Sequence, residues 1–452
     1  MIDGSVQTLD PVDVVVIGAG PGGASTAAFL ARFGHSVRVL ERRSLPRFHI
    51  GESLLPACMA IFERLGILER IRAQGYVDKF GAEFSFDFGY YVRVPFSLQG
   101  PGRHQQAFQV ERAHFDRTFA ECARDLGAVL TEQADVVDLL MEGDRVAGVR
   151  YTQAGRSYIA PARYVVDAGG RASKISRKYG LRTRVDRLKM VAIFRHFKGL
   201  NEANNPGVAG DIQVGAHRDG WVWAIPIWPD TISVGAVVPR DVLRGNDPEL
   251  LLAAHAARIP RIRQRMAGAT PVGELRVETD YCYYSDTIAG PGWLMVGDAA
   301  CFFDPIFSGG VTLAMATGME AAYTLDQILA DPGRAPELQD RYSRFYKTGY
   351  DMYARLIYSY YDNGGILLPM LTSLGIDVQR DGVTDNKWIV RLFCGDFWSP
   401  DNEVNQILLA QPELDTFAPF DRVLECPFYR SQGPSAAGRF QDRLRQRQNH
   451  GV

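Results

Sequence analysis

The chain has 452 residues, 46% hydrophobic and 23% charged, with a formal net charge of −2. That is a globular composition, long enough for one large or two to three ordinary domains. The near-neutral charge argues against general affinity for nucleic acid or an anionic membrane, and no apolar run reaches the roughly 18 residues of a transmembrane helix. Met1 to Pro11 is polar and lacks the apolar core of a signal peptide, so a cytoplasmic location is the default expectation. Cys58, Cys122, Cys282, Cys301, Cys394 and Cys426 show no paired short spacing, which predicts neither a disulfide framework nor a metal site.

Val12 to Ile17 is a β-branched run, the pattern of a strand buried on both faces. It meets the turn Gly18-Ala19-Gly20-Pro21-Gly22-Gly23, a small-residue helix from Ala24 to Gly34, and a second strand from Ser36 to Leu40 that ends in Glu41. Gly18 permits the tight turn, Gly20 lets backbone N–H groups approach a pyrophosphate, and Gly23 lets the helix pack close to the strand. Glu41 stands 18 residues after Gly23, where a carboxylate takes a ribose hydroxyl. Strand, turn, helix, strand and acid in this order predict dinucleotide binding.

Gly51-Glu52-Ser53 reads as a loop beside a ligand or as a surface loop with a helix cap at Ser53; a helix then ends at Gly66. Lys79 precedes an alternating strand from Phe80, a position usually taken by a solvated edge charge. Arg112 opens a helix running to Leu126, where it reaches a phosphate or ribose or is simply solvated. Gly127 to Val137 reads as a strand, followed by a hairpin through Glu142-Gly143-Asp144. Tyr164 to Asp167 is a buried strand running into a second glycine turn, so the nucleotide domain is assembled from separated segments. In Gly220 to Trp228 the period of two places Trp221, Trp223 and Ile225 on one strand face, as an aromatic core or as a rigid, water-excluding wall.

Trp293 to Val296 returns to the buried-strand pattern and ends in Gly297-Asp298, an acid at a strand's carboxyl end. Ser308, Gly309 and Gly310 precede a helix from Thr312 to about Leu329 and leave backbone N–H groups suited to an anion. Beyond Pro336 the chain is helical and rich in tyrosine, as helix packing or as the walls of a tunnel for an aromatic substrate. Gly433 to Val452 is polar and arginine-bearing, with the composition of a disordered tail.

Together the glycine turn, Gly51-Glu52-Ser53, Lys79, Trp-x-Trp-x-Ile-Pro at 221–226, Gly297-Asp298 and Pro305 to Gly310 resemble the flavin-dependent halogenases, built on the flavin monooxygenase fold. The resemblance implies an α/β architecture. A discontinuous FAD-binding Rossmann-type domain would take residues 1–75, 107–184 and 276–335, a β-rich substrate domain 76–106 and 185–275, and a helical region 336–432. It implies that Gly18, Gly20, Gly23, Glu41, Gly51, Ser53, Arg112, Asp298, Gly309 and Gly310 hold FAD. Backbone near Ser308, Gly309 and Gly310 would hold chloride or bromide. Trp221 and Trp223 would keep organic substrate from the oxidising centre, and Lys79 would relay hypohalous acid to an electron-rich ring. Only one full glycine turn is evident, so reduced FAD is expected from a separate flavin reductase. Phe307 stands where tryptophan halogenases carry a glutamate, which turns the expectation to a pyrrole or phenol, carried by a carrier protein. A flavin hydroxylase or a prenyl reductase of the same fold is the alternative.

Overall fold

The structure, a computed structural model, describes residues 6–279, 282–376, 384 and 386–429; the expected tail at 433–452 lies outside them. Its first layer is a mostly parallel sheet. Strand β1 (Val12–Ile17) leads through helix α1 (Pro21–Arg32) to β2 (Val37–Glu41). The helix begins earlier than the sequence pattern predicts because Pro21 sits in its first turn, where its missing N–H costs nothing. Helix α2 (Ala57–Leu65) ends at Gly66, whose φ of 73° is the left-handed cap expected there. Strands β3 (Val77–Lys79), β4 (Gly81–Phe86), β5 (Tyr91–Pro95) and β6 (Ala107–Gln109) follow, then α3 (Arg112–Asp125).

The single strand expected over 127–137 is two, β7 (Val129–Glu132) and β8 (Asp135–Glu142), broken at Gln133 with φ 55°. The break is topological: β7 pairs parallel with β2, whereas β8 pairs antiparallel with β9 (Arg145–Gln153), so the chain must turn between them. Strand β10 (Arg156–Asp167) completes the layer together with β16 (Trp293–Met295), in the order β16–β10–β1–β2–β7. The carboxyl ends of these strands deliver the Gly18 turn, Glu41, the Gly169 turn and Asp298 to one edge, where ligands of open α/β sheets bind.

The second layer is a seven-stranded sheet built from β4, β5, β11 (Met190–Lys198), β12 (Ile212–His217), β13 (Gly220–Trp228), β14 (Thr231–Pro239) and β15 (Thr270–Thr279). Strand β15 runs past the expected limit of 275 because it stays paired with β11 up to Thr279. The period of two in β13 is obeyed. Trp221, Trp223 and Ile225 face the main core, while Val222 and Ala224 join a smaller core under helix Pro248–Arg258. Helices α4 (Gly310–Ala330) and α5 (Ala335–Asp362) close the molecule. Glycine makes the contact of α4 with α1 close: a Cβ on Gly22 would lie 3.2 Å from Ala314 O, and one on Gly318 2.5 Å from Gly22 O. Among the described residues, no helix is long and apolar enough to cross a membrane, and no group of three His, Cys, Asp or Glu is placed to hold a metal.

Candidate active site

At the first glycine turn, a Cβ on Gly23 would sit 2.0 Å from Gly18 O, and Gly18 itself has φ 93°. Both glycines are therefore needed for the strand–helix junction. Gly20 differs: the nearest atom to a Cβ there is Arg47 Nη2 at 3.7 Å, so its outer side is open. The open backbone at the start of α1, with the orphan N–H groups and positive dipole of a helix N-terminus, fits a pyrophosphate. Glu41 reaches the same turn, accepting from the Ala19 N–H (3.0 Å) and the Arg43 N–H (3.1 Å).

Arg47, which no sequence pattern singles out, lies between Glu41 and Asp116 and brings a cation to the mouth of the turn. Arg112 grips Asp116 through Nε and Nη2 (2.8 and 3.1 Å) and donates to Ile50 O (2.6 Å). Burial opposes the Asp116 charge, but Arg112 and Arg47 outweigh it and hold the carboxyl below its usual range. Gly51 (φ 105°) tucks between Arg112 and Val311, closing the Gly51-Glu52-Ser53 loop over the start of α4. Burial raises the Asp298 carboxyl to about 7, against the opposing pull of Arg112, Arg171 and Arg182. The open turn, the acid at the end of β2 and the cations converging on the same sheet edge are chemically suited to FAD.

The turn before α4 is braced from behind. Asp304 Oδ1 accepts from the Ile306 N–H, Ser308 N–H donates to Pro305 O, and Gly309 N–H donates to the Tyr353 hydroxyl. Ser308 adopts φ 58°, a left-handed conformation costing on the order of 1–3 kcal/mol in a non-glycine residue. A Cβ on Gly309 would meet the Tyr353 ring at 2.5 Å, so only glycine fits. The tyrosines of α5 carry part of this bracing: Tyr346 donates to Gly297 O and Tyr353 to Asp304 O. They are buried core residues whose hydroxyls hold the site's loops, a role outside both sequence readings of that helix.

Trp221 and Trp223 are 3% and 4% exposed, with ring centroids 5.7 Å apart. Gly235, opposite Trp223 on β14, makes room for the indole, since a Cβ there would lie 2.2 Å from it. The Trp223 N–H donates to Ser233 Oγ (3.2 Å) and the Trp221 N–H to the Tyr361 hydroxyl (3.1 Å). Tyr361 in turn donates to Asp304 Oδ2 (3.0 Å). One hydrogen-bonded chain thus joins the tryptophan wall to the turn before α4.

Lys79 is 1% exposed, unlike an ordinary edge lysine. Strand β6 lies between β3, where Ala107 pairs with Lys79, and the loop at Ser53, which bridges to Gln109. Across this small sheet Lys79 Nζ donates to Ser53 Oγ (2.8 Å) and Leu54 O (2.9 Å), and lies 5.2 Å from the Phe96 ring centroid. Burial lowers its pKa from 10.5 to about 8, with Asp211 pulling the other way. Thr312, in the first turn of α4, touches Cys58 (Sγ to Oγ1, 3.2 Å), so Lys79 and that turn flank the same 53–58 segment. Sequence reasoning also missed the pair beside Ser53. Glu52 is buried and accepts from His196 Nε2 (2.7 Å), while its Oε2 has no partner among the described residues. Burial disfavours a charged His196, but the hydrogen bond and charge of Glu52 outweigh it and raise its pKa.

Residues 11–346 match the FAD binding domain family. The chain is 31% identical to a tryptophan 2-halogenase of Chondromyces crocatus over 79% of this chain and 69% of that protein. It is 32% identical to a brominase of 1H-pyrrole-2-carbonyl peptidyl-carrier protein from Pseudoalteromonas luteoviolacea, over 70% of this chain and 78% of that one. The solved myxobacterial chondrochloren halogenase superposes with a TM-score of 0.74 at 33% identity, covering 78% of this chain and 83% of its own. With the open glycine turn and the cation-lined sheet edge already in place, these likenesses carry one conclusion: the chain belongs to the flavin-dependent halogenases, enzymes that use FAD and halide.

Proposed function

We propose that this halogenase acts on an electron-rich aromatic acyl group, a pyrrole or a phenol, carried as a thioester on a small carrier protein, and that Lys79 delivers the halogen. The observation that carries the reading is the amine itself: buried, held by Ser53 and Leu54, and brought to a pKa of about 8. Desolvation keeps a useful fraction of it neutral at physiological pH, and a neutral amine is a nucleophile. FAD, supplied reduced by a separate flavin reductase, provides with dioxygen the oxidising power that turns halide into hypohalous acid.

The chain's residues then have distinct tasks. Gly18, Gly20, Gly23, Glu41, Gly51, Ser53, Arg112, Asp298, Gly309 and Gly310 hold the cofactor, and the backbone at Ser308 to Gly310 holds halide, for which the Ser308 and Gly309 N–H groups give up or share Pro305 O and the Tyr353 hydroxyl. Trp221 and Trp223 exclude water and bulky substrate, which keeps hypohalous acid from escaping to solvent. At Lys79 the neutral amine takes the halogen from hypohalous acid and releases water. The aromatic carbon then takes the halogen, and loss of the ring proton returns the amine. Phe307 packs among Phe84, Tyr360 and Phe393, so that position offers no base for the ring proton.

The pyrrole-carrier relative supports the tethered substrate. The tryptophan 2-halogenase relative favours a second reading, a free small aromatic. The test compares aromatic acids free and loaded on a carrier protein, with a flavin reductase, oxygen and halide present. A large gain on loading is expected; efficient halogenation of the free compound, with no gain, overturns the tether. In the same assay Lys79→Ala should abolish halogenation while FAD binding and flavin oxidation persist. Halogenation at the wild-type rate by that variant removes the relay.

A further inference from the structure

We propose that an open cleft outside Lys79 admits the phosphopantetheine arm of a carrier-bound substrate, with Arg72 receiving its phosphate. The proposal rests on the tethered, Lys79-relayed reading above. The cleft encloses about 570 Å³, and its apolar floor includes Met59, Phe80, Pro95 and Phe108.

Each of these floor residues is one step from the lysine site. Phe80 follows Lys79, and Phe108 neighbours Ala107, the partner of Lys79 across β3 and β6. Pro95 precedes Phe96, whose ring faces the amine, and Met59 follows Cys58 in the segment that flanks it. Chain adjacency thus ties the cleft to the lysine site, although Lys79 itself, 1% exposed, does not line it. Phe80, 45% exposed, offers apolar surface at its mouth.

The rim has the chemistry of an anionic amide chain. Arg72, Arg93, Arg103 and His104 line it, together with Ser97, Gln105 and Gln106, and no lining residue is acidic. Three of the cations are committed elsewhere, Arg93 to buried Asp211, Arg103 to buried Asp396 and His104 to Glu63. Arg72 pairs only with Glu69, and side chains 45% and 83% exposed make a solvated pair that exchanges readily for a phosphate. Arg103 is held from behind, stacked over the Tyr429 ring at 4.5 Å with its Nη1 3.0 Å from buried Asp396. An exposed guanidinium such as that of Arg72 suits a phosphate. The two glutamines and the serine suit the amides of a pantetheine chain, and Phe80 and Pro95 suit its gem-dimethyl group.

The test uses the full chain with a flavin reductase, and one aromatic acid presented as a thioester of phosphopantetheine and of pantetheine, which lacks the phosphate. The wild type should prefer the phosphorylated thioester by roughly tenfold in kcat/KM, expressed in KM. In Arg72→Glu, a surface change that leaves the buried ion pairs intact, the preference should fall to about one, and the neutral Arg72→Gln should lower it in the same sense. No preference in the wild type, or an equal loss on both thioesters in Arg72→Glu, overturns the proposal. If carrier loading gives the wild type no advantage over the free acid, the tethered reading falls instead, and it does so whatever the arginine variants show.

Discussion

Replacing Lys79 with methionine separates the energetics of burying the amine from its use. The pKa falls from 10.5 to about 8 on folding, a gap of about 2.5 units, or roughly 3 kcal/mol at 1.36 kcal/mol per unit. The sign follows from the direction. Between pH 8 and 10.5 the unfolded chain binds more protons at this site than the folded one, so wild-type stability rises with pH across that window. Below it, the folded protein carries the full penalty of a buried ammonium. Methionine keeps the volume and has no charge, so the variant lacks this dependence. It also loses the donors to Ser53 Oγ and Leu54 O, a cost of about 1–3 kcal/mol that does not vary with pH. The assay is urea unfolding of both proteins at several pH values from 7 to 11, read as the difference between them, in which titrations common to both cancel. We expect the wild type to gain roughly 3 kcal/mol on the variant over that range. A difference that stays flat refutes the reasoning, because the amine would then be solvated in the folded state and no more nucleophilic than any surface lysine.

The two kinds of glycine in the first turn should separate cleanly. Gly20→Ala meets only Arg47 Nη2, at an ordinary contact distance of 3.7 Å, and should leave the melting temperature nearly unchanged while weakening FAD binding roughly tenfold. Gly23→Ala would drive a methyl onto Gly18 O and should cost about 3 kcal/mol or more, seen as lost soluble protein. Tyr361→Phe removes the oxygen that joins Trp221 to Asp304. We expect it to retain FAD, to form several-fold less halogenated product per flavin oxidised, and to release more hydrogen peroxide, measured in one coupled assay; unchanged coupling would reduce the chain to packing.

What the sequence revealed, and what it did not, divides along the range of the interactions. The strand–turn–helix–acid unit was legible because its geometry is local: glycine conformations and a strand end decide it within residues 12–41. The face shared by Trp221 and Trp223 was legible for the same reason, since the pleat alone sets it. The burial of Lys79 was not. Its partners at Ser53 and Leu54 are 26 and 25 residues away, and Asp211 lies on a strand connection far beyond. Local pattern reads such a lysine as an edge charge, and only the resemblance to a family singled it out. The break at Gln133 was hidden too, because it records which sheet partners the chain finds and not what its residues prefer.

The tyrosines of α5 show why a side chain's role can be ambiguous even when its burial is evident. Their spacing announces a buried helix face, but an apolar ring and a hydrogen-bonding tip give the same sequence pattern whether they fill a core or line a tunnel. The hydroxyls decide the matter, through acceptors on segments earlier in the chain: Gly297 O for Tyr346, Asp304 O for Tyr353 and the Asp304 carboxylate for Tyr361. Tyr361 also takes the Trp221 N–H, so α5 grips the turn before α4 and the wall of the second sheet at once. A turn that holds a serine at φ 58° needs such support, because strain of that size persists only where the surroundings over-determine the backbone. The tyrosine-rich helix is thus the element that makes the two layers one site, and a change at its far end should be felt in coupling before it is felt in cofactor binding.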